Sequence, residues 1–249
     1  MLHVVNKPIG ATPLDMIVKL RETDPTLFDV PMTYAGRLDP MAEGVVLILS
    51  GDDRHKKSEF EKLTKVYRAT ILFGFTSDTH DALGMPQATG ITPVVEEVAT
   101  AIHNLLGDHT LPFPAYSARK VGGKPLHHYA NTGSLGDVTI PTTTMSVALI
   151  EDIRCDQVSP AHLLTDITQC IARVRGDFRQ VAITQAWQNL LNAPEAPDVL
   201  TAEVTLRVSS GTYIRSLAKL LGERLGSGAL LLHLVRTQVG DHALENAEM

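Results

Sequence analysis

Cysteine is almost absent from this 249-residue sequence, which contains only Cys155 and Cys170. Two cysteines cannot form a disulfide framework, and these two lack the spacing of a metal site. Long apolar runs are absent too, since a stretch such as Val45–Leu49 is far too short to cross a bilayer. The N-terminus has neither the charged start nor the long apolar centre of a secretory signal. These absences predict a cytoplasmic protein without a membrane partner.

The common signatures of cofactor binding are also missing. There is no Gly-x-x-x-x-Gly-Lys phosphate loop and no strand-linked Gly-x-Gly-x-x-Gly, so nothing supports a nucleotide cofactor. No serine lies in a Gly-x-Ser-x-Gly elbow. The adjacent histidines His127 and His128 would point to different sides of a helix, which does not suit a shared metal. We therefore expect no cofactor and no metal.

The composition that remains is that of an ordinary globular protein, with 44% hydrophobic and 20% charged residues. The charge balance is acidic, because 28 Asp and Glu outnumber 22 Lys and Arg and give a formal charge of −6. Small nucleic-acid-binding domains are usually basic. The balance argues mildly against nucleic acid, but it does not exclude a local basic face, since phosphate binding depends on where the cations lie.

Strand and helix patterns mix along the chain without a regular β-α-β order. Apolar and β-branched runs predict strands at 2–5, 45–49, 65–73, 143–153, 199–209 and 229–238. Helical patterns occur at 55–63, 94–106, 126–131 and 213–225, after a first helix that begins at Thr12. Residues 111–124, rich in Pro and Gly, are predicted to form a loop. This mixture predicts an α+β fold around a mixed, largely antiparallel sheet with flanking helices and loops.

Residues 159–198 have a different character. They are rich in helix-compatible residues, hold the only tryptophan, Trp187, and end in the linker-like string Ala193–Pro197. We interpret them as a helical insertion between two strands of one domain. The whole chain, 1–249, is therefore expected to form a single domain.

The most distinctive segment holds a carboxylate, Asp39, in a turn. It reads Tyr-Ala-Gly-Arg-Leu-Asp-Pro-Met-Ala-Glu-Gly over residues 34–44 and leads directly into the apolar run Val45–Leu49. Gly36 and Gly44 can adopt backbone angles that other residues resist, and Pro40 fixes its own φ. The backbone therefore positions Asp39. Taken alone, the segment is equally typical of a surface turn before a strand.

Three other regions accompany this turn in the order known from one family. The segments are Lys65–Arg68 with the turn Gly74–Gly84, Pro112–Lys124, and Ser210–Leu217. They resemble the Lys-x-Tyr strand and its following turn, the Pro-x-x-Ser-Ala-x-Lys-x-x-Gly loop and the Gly-Thr-Tyr-Ile-Arg block of the TruB-type tRNA pseudouridine synthases. The resemblance covers most of the chain, and it implies the pseudouridine synthase catalytic fold.

The resemblance also implies roles for single residues. Asp39 matches the catalytic aspartate, which either attacks ribose C1′ or removes a nearby ribose proton. Arg215 matches the arginine that keeps this aspartate ionised. Tyr67 matches the tyrosine that stacks on the flipped base, and Tyr213 and Leu234 match positions that line its pocket. Outside this context, the last three would be interpreted as core residues and Arg215 as half of a surface ion pair.

Four further residues complete the predicted substrate site. Tyr34 stands where the family usually has histidine, and Arg37 stands where it more often has a small residue, so Arg37 is either a second cation near Asp39 or a solvent-facing turn residue. Lys65 and Lys120 are candidates for phosphate contact. Each of these cations alone is equally typical of a solvated charge.

The implied function is the conversion of a specific uridine in RNA to pseudouridine, at the T-loop of tRNA, by base flipping and an aspartate nucleophile. We expect a monomer whose partner is tRNA. Two alternatives stay open: an RNA-binding or tRNA-folding module with weak catalysis, and a pseudouridine synthase that acts on a different RNA. Because the sequence ends soon after the last predicted strand, we expect no C-terminal PUA-type domain.

Overall fold

A computed structural model describes residues 1–193 and 196–248. Its strands are, in chain order, β1 Leu2–Lys7, β2 Met32–Ala35, β3 Ala42–Ser50, β4 Lys65–Phe73, β5 Phe75–Ser77, β6 Pro86–Ala88, β7 Gly107–Pro112, β8 Lys120–Val121, β9 Lys124–Pro125, β10 Thr142–Val158, β11 Val199–Val208, β12 Ala229–Val239 and β13 His242–Ala243. Its α-helices are α1 Pro13–Thr23, α2 Lys57–Lys62, α3 Val95–His103, α4 Leu126–Asn131, α5 Pro160–Arg173, α6 Gln180–Leu191 and α7 Ile214–Leu225.

Nine of these strands form one sheet with the order β1-β3-β12-β4-β11-β10-β7, to which β2 adds beside β3 and β13 beside β12. The neighbours pair antiparallel except β3 and β12, which run parallel where Leu234 lies opposite Ala42. The predicted α+β class with a mixed, largely antiparallel sheet is confirmed. The parallel pair places the start of β3, just after Asp39, beside the middle of β12.

The predicted loop at 111–124 is wrong at its start and also at its end, where Lys120–Val121 (β8) pairs with Lys124–Pro125 (β9). Leu111 and Pro112 belong to β7 and pair with Thr143 and Thr142 of β10. Proline is tolerated there because β7 lies at the edge of the sheet, where its missing N–H is not needed. Of the linker-like string 193–197, residues 194 and 195 lie outside the described residues.

The sheet carries a core on both faces, as the alternation along β4 shows. Ile71 and Phe73 belong to an apolar cluster with residues of α1, α3 and α7, whereas Leu72 belongs to a cluster with residues of α5 and α6. Successive strand residues point to opposite faces, so a continuous apolar run is what a strand covered on both sides requires. No helix among the described residues is long and apolar enough to span a membrane.

Helices α5 and α6 occupy the segment predicted to be helical, between β10 and β11. Trp187 of α6 is fully buried, and its indole N–H donates to the carbonyl of Ala82 at 3.0 Å. Its ring packs against Phe75 with centroids 5.4 Å apart. These contacts join the helix pair to the rest of the fold. That the pair is an insertion, within one domain, stays a prediction.

An ion pair also joins α5 to the sheet. His233 Nε2 of β12 lies 2.5 Å from Asp166 Oδ2, and the Cys170 thiol completes a cluster whose ligand-type atoms lie within 4.8 Å of one another. Hydrogen bonding to Asp166 raises the pKa of His233 to about 9 against the opposing effect of burial. The short contact and the raised pKa describe an ion pair between His233 and Asp166.

This pair predicts a pH-dependent contribution to stability. Because the pKa of His233 is raised above its usual 6.5, the contribution is complete below pH 6.5 and is lost as the pH rises through about 9. Both side chains are about one-third exposed, so we expect about 1 kcal/mol. Thermal unfolding of the wild type and of His233→Gln should differ most near pH 6 and converge by pH 9.5. The same comparison for His128→Gln, at an exposed position on α4, should show no such convergence.

Candidate active site

Asp39 lies on the turn between β2 and β3, and the backbone of this turn is fixed by two glycines. Gly36 has a φ of +82° and Gly44 a φ of +111°, which confirms the interpretation of the glycine-bracketed turn. At Gly44 an added Cβ would lie 2.2 Å from the carbonyl oxygen of Arg236, so a side chain is excluded. The turn also accepts a hydrogen bond from the segment after β1, since the Gly10 N–H donates to Pro40 O at 2.9 Å.

A buried arginine of β12 braces the same turn from below. Arg236 is only 1% exposed, its Nε donates to Val45 O at 2.7 Å, and its Nη1 donates to Arg37 O at 3.0 Å. These bonds hold the two ends of the Asp39 turn at a fixed separation. The sequence analysis missed Arg236; its signal is a lone charge inside the apolar strand 229–239.

The carboxylate of Asp39 is paired with Arg215. Arg215 Nε donates to Asp39 Oδ2 at 2.8 Å, with Arg215 4% and Asp39 40% exposed as side chains. Arg215 is the second residue of α7, where the helix dipole disfavours a cation, so the carboxylate charge compensates for this position. The structure therefore brings together the two residues on which the predicted chemistry depends, with the carboxylate still open to solvent.

The rest of the Arg215 guanidinium is fixed by the loops around it. Its Nη1 donates to Thr79 O at 2.8 Å and its Nη2 to Tyr116 O at 3.3 Å. A second carboxylate, Asp81, lies 3.5 Å from its Nε. Arg215 thus connects the 74–84 turn and the 112–124 loop to Asp39, and a guanidinium held by four groups has little freedom to move.

Asp81 is a site residue that the sequence analysis did not single out. It is 8% exposed, and burial raises its pKa to about 6 even though Arg215 lowers it. Its Oδ1 accepts from the Thr79 hydroxyl at 2.6 Å and from Leu83 N–H at 3.0 Å. Its position at the end of the polar turn 76–81 was the available signal. The turn is part of the site rather than a simple connection.

Lys7 supplies a further buried cation near Asp39. Burial lowers the pKa of Lys7 to about 8, while the charge of Asp39 is the largest effect that raises it. Its ammonium donates to Pro8 O and Ala11 O, both at 3.0 Å. Lys7 therefore holds the 8–11 turn, from which Gly10 binds the Asp39 turn. The sequence analysis missed this residue, whose signal is a lysine at the end of an apolar strand.

The apolar residues predicted for the base pocket lie near the carboxylate. Leu234 borders a small pocket together with Asp39, Met41 and Asp81. Tyr213 immediately precedes α7, and its ring packs edge-on against Phe113 at 5.8 Å. Burial and the charge of Asp39 raise the pKa of the Tyr213 hydroxyl, which places this ring within the field of the carboxylate.

Tyr67 contacts the same region from β4. It is 7% exposed and belongs to the apolar cluster that contains Leu234 and Leu38, the residue before Asp39. A ring at this position can become the floor of a base pocket only if part of its face is uncovered when RNA binds. Its stacking role stays a prediction.

The remaining predicted site residues differ in their exposure to solvent. Tyr34 is half-buried on β2 with the Lys57 ammonium 5.4 Å from its ring centre. Arg37 and Lys120 are exposed, as RNA contacts require.

Lys65 is only 6% exposed, and its ammonium donates to Glu61 O and Leu63 O, both at 2.6 Å. These carbonyls take up the donors of Lys65, which argues against the predicted phosphate contact.

Comparison with known proteins identifies the family. Residues 30–174, more than half of the chain, match the sequence model described as "TruB family pseudouridylate synthase (N terminal domain)". The chain belongs to the TruB family. The matched region includes Asp39, Tyr67 and the 112–124 loop, whereas Arg215 lies beyond it.

Curated relatives extend the likeness to nearly the whole chain. The tRNA pseudouridine synthase B of Nitratidesulfovibrio vulgaris (strain DSM 19637 / Miyazaki F) is 31% identical over 94% of this TruB-family chain, which spans 62% of that protein. Those of Corynebacterium efficiens and Corynebacterium aurimucosum are 32% and 34% identical over 99% of the chain, which spans 69% of each. The chain therefore represents about two thirds of the length of these relatives.

Solved structures confirm the fold. The chain aligns over 97% of its length with the Cbf5-Nop10-Gar1 complex at a TM-score of 0.58 and 18% identity, covering 49% of that chain. It aligns with an H/ACA RNP bound to a substrate RNA containing 2'-deoxyuridine at a TM-score of 0.53 and 17% identity, covering 48% of that chain. The chain thus shares the fold of these structures.

Proposed function

We propose that this protein isomerises a uridine of RNA to pseudouridine, with Asp39 as the reacting carboxylate. The observation that carries the proposal is the pair formed by the partly open Asp39 carboxylate and the buried, fourfold-held Arg215. Membership of the TruB family supports the reaction class.

The reaction rearranges the nucleotide without a donor or a redox change. The bond between N1 and ribose C1′ breaks, the base turns, and C5 bonds to C1′; C5 then loses its proton and N1 carries one in the product. A carboxylate at the ribose either bonds transiently to C1′ or removes a ribose proton. The glycine-fixed turn that carries Asp39 and its contact with the buried Arg215, which favours the ionised carboxylate, support either role.

We further propose that the substrate is the T-loop uridine of tRNA and that the protein acts as a monomer. The relatives' name, tRNA pseudouridine synthase B, supports tRNA as the substrate. A single chain supplies Asp39, its partner Arg215, and the Asp81 and Leu234 that border the pocket beside Asp39, which supports a monomer that light scattering can check.

The substrate proposal predicts site-selective product. A T-arm stem–loop transcript should yield pseudouridine at one loop uridine, whereas the same transcript with that uridine changed to cytidine should yield none. Mass spectrometry of nuclease fragments after derivatisation locates the product. Binding of the transcript without product would refute the catalytic proposal, and product at a uridine of another RNA but not here would refute the T-loop assignment alone.

A further inference from the structure

The loop between α5 and α6, residues 174–179, contacts the candidate active site through one side chain. Arg179 Nη1 donates to Asp78 Oδ2 at 2.7 Å, and its guanidinium lies 5.1 Å from the ring centre of Tyr116. The Tyr116 hydroxyl donates to the same Asp78 oxygen at 3.1 Å. These contacts attach the 174–179 loop to both loops that hold Arg215.

The path from this loop to the reacting carboxylate is short. Tyr116 accepts a bond from Arg215 Nη2 through its carbonyl, and Arg215 Nε donates to Asp39. Arg179, Tyr116, Arg215 and Asp39 therefore form a continuous series of contacts. These contacts connect the 174–179 loop to the surroundings of the Asp39 carboxylate, which is 40% exposed as a side chain.

The backbone of Arg179 adopts an energetically unfavourable conformation. Arg179 has a φ of +63°, a left-handed conformation that glycine or asparagine adopts more readily. Its side chain does not cap α6, which begins directly after it. Strain of this kind persists where the surrounding contacts require it, and it clusters at functional sites. Here the conformation directs the guanidinium to Tyr116 and Asp78.

The loop is held in one conformation by its own hydrogen bonds. Gln180 Nε2 donates to Val174 O at 3.1 Å and to Gly176 O at 2.7 Å, and Gln180 Oε1 accepts from Phe178 N–H at 2.9 Å. The Phe178 ring lies against the backbone of Gly176, 3.2 Å from where a Cβ would stand. A loop ordered before binding loses less entropy when a partner docks.

The groups that this loop presents suit single-stranded nucleic acid. Phe178 is 39% exposed, and Arg175, three residues earlier in the same loop, is exposed. An open ring gives an unpaired base a surface on which to stack, and a neighbouring cation can contact the adjoining phosphate. The loop carries two arginines, Arg175 and Arg179, and one acid, Asp177, so its net charge is positive in a chain that is acidic as a whole.

We propose that the 174–179 loop is an additional wall of the RNA-binding cleft, in which Phe178 stacks on an unpaired base next to the target uridine and Arg175 contacts the adjoining phosphate. Arg179 is a positioning residue that holds this wall against Tyr116. The inference rests on the proposed RNA substrate, and it assigns the helix pair α5–α6 a function in binding in addition to its role in the core.

The test measures binding separately from turnover. In the Asp39→Asn background, fluorescence anisotropy with a T-arm stem–loop RNA should show about tenfold weaker binding for Phe178→Ala and retained binding for Phe178→Tyr. Arg175→Ala should make the dependence of log K on log salt concentration less steep, by the amount expected for the loss of about one phosphate contact. The matched control is Val181→Ala, at an 87% exposed position in the first turn of α6, which should bind like the parent.

Arg179→Gly separates positioning from stability. Glycine relieves the left-handed strain, so the thermal midpoint should stay the same or rise, while the RNA Kd should rise about fivefold as the contact with Tyr116 is lost. Arg179→Lys should restore part of the affinity through Asp78.

The proposal is overturned if Phe178→Ala and Arg175→Ala bind with the parent's affinity and salt slope, or if the parent does not bind this RNA. Failure of the proposed reaction would instead appear as binding without pseudouridine in the chain that retains Asp39. The two failures are therefore distinguishable.

Discussion

Asp39→Asn is expected to lower the single-turnover rate of pseudouridine formation by at least about a thousandfold while the protein stays folded. The asparagine amide has the shape of the carboxylate, and its oxygen still accepts the bond from Arg215 Nε. It carries no charge, so it can neither attack C1′ nor remove a ribose proton. Release of tritium from RNA labelled at uridine C5 measures the rate, because the C5 proton leaves only when the isomerisation proceeds.

The matched control is Asp52→Asn, which removes one carboxylate from an exposed position after β3. It should keep the wild-type rate. Circular dichroism and RNA binding should be the same for both variants and the wild type. An Asp39→Asn protein that retains a tenth of the wild-type rate would contradict the assignment of Asp39.

The site residues that could be predicted from the sequence are those that lie within short, contiguous motifs. Asp39 lies between two glycines whose positive φ angles are needed for the turn, and Arg215 lies in a contiguous block at the start of α7. Each lies in a contiguous motif, so the family resemblance could identify both, although neither motif alone separates the residue from an ordinary turn or a surface ion pair. The strands β4 and β11 were also predictable, because β-branched or aromatic residues recur along both of them.

The residues that were missed act across the fold. Arg236 braces carbonyls about two hundred positions earlier in the chain, and Asp81 meets Arg215 only when the 74–84 turn lies against β12. The order of the strands in the sheet determines which residues these side chains contact, and this order cannot be inferred from a short stretch of sequence. Lys65 shows the converse limit: the motif it shares with Tyr67 suggested an RNA contact, whereas in the structure carbonyls at the end of α2 accept hydrogen bonds from its ammonium.

Arg215→Met is expected to destabilise the protein by about 3–5 kcal/mol, because it leaves Asp81 buried without its cation. The single variant should also lose pseudouridine formation, since Asp39 loses its partner. In the double variant Arg215→Met, Asp81→Asn, the buried charge is gone, and the Asn oxygen can still accept from Thr79 and Leu83. We expect the double variant to regain about 2 kcal/mol while it remains inactive. Urea unfolding of the wild type, the two single variants and the double variant measures the coupling free energy between Arg215 and Asp81. Additive effects of the two substitutions would contradict this coupling.

The pH dependence of the single variant gives an independent check with a definite sign. Burial already raises the pKa of Asp81 to about 6, and the charge of Arg215 is the main effect that lowers it, so its removal raises this pKa further. An acid with a raised folded-state pKa makes the folded protein bind protons more tightly than the unfolded chain, so stability is lost as the pH rises. The deficit of Arg215→Met should therefore shrink as the pH falls from 8 towards 5, and the Asp81→Asn substitution should abolish this trend. A deficit that stays constant over this range would mean that its origin is the lost packing of the arginine side chain rather than the unpaired charge of Asp81.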